Sequence, residues 1–139
     1  LNEDGKSYTL KRIIGPSSFE ELIIPPTYNG LPVTVIAERA VSFKIVDRIV
    51  IPDSIQVIEP MAFYDTDSIG VGSIEFLGGE MVVGQEAFTK CDGYESFIMR
   101  GKISMDISDL KDNESLKCLQ IADCCKNACV RLNTKTRLS

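Results

Sequence analysis

VDRIVIPDSIQVIEPMAFYDT, residues 46–66, carries two apolar anchors in one stretch. The first is Val46, Ile49 and Ile51: apolar, two spacers, apolar, one spacer, apolar. The alternation over Ile49-Val50-Ile51 is that of a short strand, with Ile49 and Ile51 turned inward and Val50 outward. Pro52 follows directly, where a missing N–H costs little because the strand has ended. The second anchor is Ile58 with Ala62-Phe63. A small residue at 62 lets the chain approach the strand closely, and the ring at 63 fills the space between layers.

Both anchors recur along the chain. The first returns as Phe19-Leu22-Ile24, Val71-Ile74-Phe76, Tyr94-Phe97-Met99 and Leu116-Leu119-Ile121. Its starts at 19, 46, 71, 94 and 116 are 27, 25, 23 and 22 residues apart. The second returns as Ile36 with Ala40-Val41, Val83 with Ala87-Phe88 and Met105 with Asp109-Leu110. A period of this length with one strand per unit marks a leucine-rich-repeat solenoid, whose turns bury their apolar faces only by stacking on one another. The expected fold is a β-rich α/β solenoid: a short parallel sheet stacked over four to five turns, with short helical or irregular connections. Residues 1–18 read as an N-terminal strand and cap, 19–121 as the repeats, and 122–139 as a C-terminal cap or tail. Within the cap, Ser7–Ile14 alternates as a starting strand closed by Gly15-Pro16-Ser17-Ser18. Asn29-Gly30 marks a turn that lengthens the first repeat.

The 139 residues suit one domain, and 44% hydrophobic with 25% charged residues is ordinary globular composition. A net charge of −5 argues against a nucleic-acid footprint, which is normally a basic stripe. Lys126, Arg131, Lys135 and Arg137 make residues 124–139 a small basic tail, either a solvated end or a contact for a membrane surface or polyanion. No apolar run reaches the roughly 18 residues of a membrane span. No signal segment is visible, but the chain does not begin with Met, so this does not point to the cytoplasm. The chain has neither His nor Trp, which removes the commonest general base and metal ligand and the preferred sugar-stacking ring.

The repeat resembles the BspA-type, or Treponema pallidum-type, leucine-rich repeats. Residues 46–66 match that pattern nearly position for position, and Ala87-Phe88-Thr89-Lys90-Cys91 supplies its terminal cysteine. Tyr28-Asn29-Gly30-Leu31-Pro32-Val33 resembles the insert of the family's frequent first repeat. The resemblance covers about residues 8–121. It implies a curved solenoid at the surface of, or secreted by, a bacterium or a mucosal protozoan, associated with adhesion and without catalytic residues. By the same resemblance Cys91 is an interior, inert thiol. The fourth repeat departs, with Arg100-Gly101 and Asp109-Leu110 where Ile-Pro-Asp and Ala-Phe would stand.

The expected function is therefore a non-catalytic module that binds a protein or glycan on a host or bacterial surface, without a cofactor or metal. The rival readings are a structural spacer presenting another domain and, more distantly, an enzyme. The twenty acids specify no acid and nucleophile pair, and a thiol nucleophile would lack a His base. The candidate partner-binding surface is the outward face of the sheet: Ile23, Arg48, Val50, Glu75, Ile98 and Gln120. Family repeats usually carry Thr or Ser here, so Ile23, Val50 and Ile98 form an unusually apolar stripe. Cys118, Cys124, Cys125 and Cys129 are not spaced as two zinc knuckles. They read either as reduced thiols or as a disulfide from Cys118 into the tail that ties the open end. Asn113-Glu114-Ser115 is a glycosylation sequon in form only.

Overall fold

A computed structural model describes residues 1–110, 113–123 and 126–131. The chain coils as a parallel β-solenoid of about four turns, passing in turn between two sheets. β1 (Tyr8–Leu10) belongs to the first sheet and β2 (Ser18–Ile23) to the second. β3 (Thr27–Tyr28) and β4 (Leu31–Ile36) form a hairpin around Asn29-Gly30, both with positive φ, and return the chain to the first sheet. β5 (Ile45–Ile51), β7 (Gly72–Phe76), β9 (Tyr94–Arg100) and β11 (Cys118–Asp123) extend the second sheet in parallel. β6 (Val57–Ile58), β8 (Glu80–Val83) and β10 (Lys102–Ser104) extend the first. β12 (Lys126–Arg131) then turns back antiparallel to β11.

The pairing register sets the apolar anchors in rows. Leu22, Ile49, Ile74, Phe97 and Leu119 occupy one row across the second sheet. Ile36, Ile58 and Val83 form the facing row of the first. Between them Phe88 stacks on Phe63 at 4.9 Å and meets Phe76 and Phe97 edge-on at 5.8 and 5.7 Å. All four rings are fully buried, so the interior is a column of aromatics with aliphatic walls.

The corners after the first sheet are turns rather than the short helices that the sequence allows. Arg39, Met61 and Glu86, each just before the Ala of the second anchor, have φ of 57°, 60° and 59°. Phe43, Asp65 and Lys90, just after the anchor, have φ of 60°, 55° and 56°. Left-handed backbone at a side-chain-bearing residue costs about 1–2 kcal/mol, and two such residues per corner forbid a helix. What holds them is hydrogen bonding between turns: Val41 N donates to Ala62 O at 2.9 Å, and Phe63 N to Ala87 O at 2.8 Å. The single helix among the described residues is a 3-10 turn, Ile107–Leu110, in the repeat that departs from the pattern.

Polar side chains seal the layers. Thr66 Oγ1 donates to Val41 O at 2.9 Å, and Cys91, one repeat later, sets its Sγ 3.0 Å from Phe63 O. Tyr94, fully buried, donates its hydroxyl to Val46 O at 2.6 Å. At Gly93 (φ 82°) a Cβ would collide with the Ser68 carbonyl of the preceding turn, so the two turns touch backbone to backbone.

The two ends of the coil differ. β1 covers only the first sheet, and Phe19 and Leu22 of β2 stay half-buried at the edge of the second. At the other end β12 pairs along the whole of β11.

Candidate functional site

The outward face of the second sheet gathers every residue expected to meet a partner. Ile23, Val50, Glu75, Ile98 and Gln120 are register neighbours across five strands. Arg48 stands two residues before Val50, on the same side of the pleat. Ile23 is 56% exposed and Ile98 half-buried. Val50 departs from expectation: it lies outward yet is only 5% exposed. Its register places it between Ile23 and Glu75, with Arg48 on its own strand, and together these close over a short β-branched side chain. It belongs to the wall rather than to the accessible stripe.

The sequence did not reveal how the charges on this face pair. Arg48 bridges Glu21 and Glu75, the latter at 3.3 Å, and Glu75 also pairs with Arg100. The result is a ladder, Glu21–Arg48–Glu75–Arg100, climbing four strands. Each link is solvent-exposed on at least one side, so water screens it and it adds little to stability. No spacing along the chain signals the ladder. It becomes visible only once the register is known.

Beside the entry ends of β7, β9 and β11 lies an acidic cleft lined by Asp67, Ser68, Asp92, Gly93, Glu95 and Ser115. Its carboxylates already hold backbone. Asp67 Oδ1 accepts from Asp92 N at 3.0 Å, and Asp92 Oδ1 accepts from Gly93 N at 2.9 Å and from Ser115 Oγ at 3.3 Å. Nearby, Asp47 Oδ1 accepts from Ser68 Oγ at 2.8 Å and from Ile69 N and Gly70 N, each at 3.2 Å. The Ser68 hydroxyl, then the Gly70 and Ile69 amides, hold the Asp47 carboxyl below the usual carboxylate range. A lowered folded pKa means that this hold is complete above the ordinary value of about 4 and is lost as pH falls through the lowered value. Asp47→Ala is expected to speed amide exchange at Ile69 and Gly70 near neutral pH, and acidification of the native chain to lower the protection of the same two amides relative to the intrinsic exchange rate at each pH. Unchanged exchange in the variant would mean that the loop is held by other groups.

A second cleft, of about 400 Å³, lies at the first corner between Arg12, Ile13, Arg39, Ala40, Ser42, Phe43 and Lys44. Its lining holds three cations and, among the described residues, no acid. Phe43 is 58% exposed and meets Tyr64 edge-on at 6.2 Å. Arg39 and Lys90 lie over the Tyr64 ring at 6.0 and 5.4 Å from its centre. The sequence reading passed over these residues because the three cations are scattered from position 12 to 44. The faint signal was that Arg39 and Phe43 flank the Ala40-Val41 anchor at the left-handed positions.

Cys91 is a free, buried thiol, and burial pushes its pKa far above the ordinary value, which fits an inert interior residue. Cys118 is disulfide-bonded. Cys124 and Cys125 lie outside the described residues, as does the tail from 132 onward, and Cys129 is described only in its backbone as part of β12. Asn113 of the sequon is buried, and its amide donates to Tyr94 O at 3.0 Å, so it serves the fold. Among the described residues, no group of His, Cys, Asp and Glu is placed to hold a metal, and no helix is long and apolar enough to cross a membrane. Comparison with known protein families, with curated proteins and with solved structures finds no match.

Proposed function

We propose that this chain is a non-catalytic binding module of the BspA leucine-rich-repeat type, acting at a cell surface or outside the cell, where it adheres to a protein or glycan. The observation that carries the reading is the continuous outward wall of the second sheet, on which Ile23 and Ile98 lie among Arg48, Glu75 and Gln120. Stacked turns joined by backbone hydrogen bonds make that wall rigid, so docking costs little ordering entropy. The family assignment is supported by the repeat pattern and by the solenoid it produces.

One observation favours a second reading, a spacer that presents another domain and binds nothing. The Glu21–Arg48–Glu75–Arg100 ladder satisfies its own charges and leaves few of them free for a partner.

The two readings separate in a pull-down from host-cell surface proteins, matrix proteins and mucin glycans. The native domain is compared with Ile23→Gln/Ile98→Gln, with circular dichroism as the check on folding. Capture by the native domain and its loss in the folded variant is the expected result. No capture by the native domain would leave the spacer standing.

A further inference from the structure

We propose that the corner cleft between Arg12, Arg39 and Lys44 is an anion subsite that takes a short sulfated oligosaccharide. This deepens the binding-module reading and rests on it. The protein carries five more acids than cations, yet here three cations converge with no carboxylate among the described lining residues. The Arg12 side chain has no hydrogen-bond or ion-pair partner among the described residues. Lys44 Nζ donates to Pro16 O at 3.1 Å and keeps further donors free. Arg39 leans on the Tyr64 ring and lies 3.9 Å from Glu38, a long and exposed pairing. Two guanidinium forks and an ammonium suit an oxyanion with several acceptor oxygens.

The surrounding groups narrow the ligand further. The backbone of the cleft is already hydrogen-bonded. Ile13 N donates to Ala40 O at 2.9 Å, Phe43 N to Tyr64 O at 3.3 Å and Ser42 N to Arg39 O at 3.4 Å. The Ser42 hydroxyl donates to Met61 O at 3.0 Å. An extended acidic peptide would find no strand edge to join here, so charge and an apolar surface must do the recognising. The exposed Phe43 ring beside the cations offers that surface to the C–H face of a sugar. A long polyanion such as a nucleic acid would be repelled by the net negative body, which favours a short chain.

The test is fluorescence anisotropy with a labelled, sulfated tetrasaccharide and its desulfated counterpart at two salt concentrations. The proteins are the native domain, Arg12→Ala/Lys44→Ala, the charge-keeping Arg12→Lys/Lys44→Arg, and Ile23→Gln/Ile98→Gln. Native binding is expected to weaken with salt and to be absent for the desulfated sugar. Loss of two cations is expected to weaken it at least about tenfold, while the charge-keeping and sheet-face variants bind as the native does. Equal binding by Arg12→Ala/Lys44→Ala, equal binding of the desulfated sugar, or displacement by a hexaglutamate peptide would overturn the proposal. If the native domain captures a partner through its sheet face but ignores the sulfated sugar, the subsite falls and the binding module stands. If it captures neither, both fall.

Discussion

Phe88→Ala is expected to lower unfolding stability by about 3–5 kcal/mol, read as a shift in a denaturant midpoint at constant slope. Phe88 is fully buried and touches three further rings, one stacked and two edge-on, drawn from three successive repeats and both anchors. Truncation removes the transfer energy of the ring and leaves a void at the centre of the column, where the flanking turns are tied by backbone hydrogen bonds and cannot collapse. Phe63→Ala, which loses one stacked partner, belongs to the same range. A loss under about 1 kcal/mol in both variants would contradict the stacking register.

Gly93→Ala adds a single methyl group and is expected to cost about 3 kcal/mol. The left-handed φ accounts for about 1–2 of this, and displacement of the Ser68 carbonyl for the rest. Ser68 N donates to Asp92 O at 2.9 Å and Gly72 N to Gly93 O at 3.3 Å, so the shift would propagate along two adjoining turns. A contrasting variant, Glu86→Gly, occupies a left-handed position where a side chain is already tolerated and is expected to change stability by under about 1 kcal/mol. If Gly93→Ala proves as mild as Glu86→Gly, the turns do not meet backbone to backbone at that point.

The strands and the inward rows were legible because burial imposes a repeat on residue type. Ile49, Ile74 and Phe97 must be apolar wherever the turns stack, and Ala62-Phe63 and Ala87-Phe88 must alternate small and large. The corners were not legible. Arg39, Met61 and Glu86 share a left-handed backbone that nothing in their side chains advertises, because it is set by carbonyls of the neighbouring turn. Val50 shows the same limit on the outer face: alternation gives its direction, but its exposure depends on the lengths of Ile23, Glu75 and Arg48 around it. The ion-pair ladder and the basic cleft join residues from different turns, and local patterns carry no record of such pairs. Aspartates and glycines at the entry ends looked like loop composition, although Asp47, Asp67 and Asp92 each hold a neighbouring amide.

The unlike ends of the coil give this scaffold a direction. β12 runs against β11 and so halts parallel progression, whereas the outer edge of β2 is unpaired among the described residues and leaves Phe19 and Leu22 half open. A protein engineer extending the stack would have to splice new repeats ahead of residue 18. The same units placed after residue 123 would meet a strand of the wrong polarity.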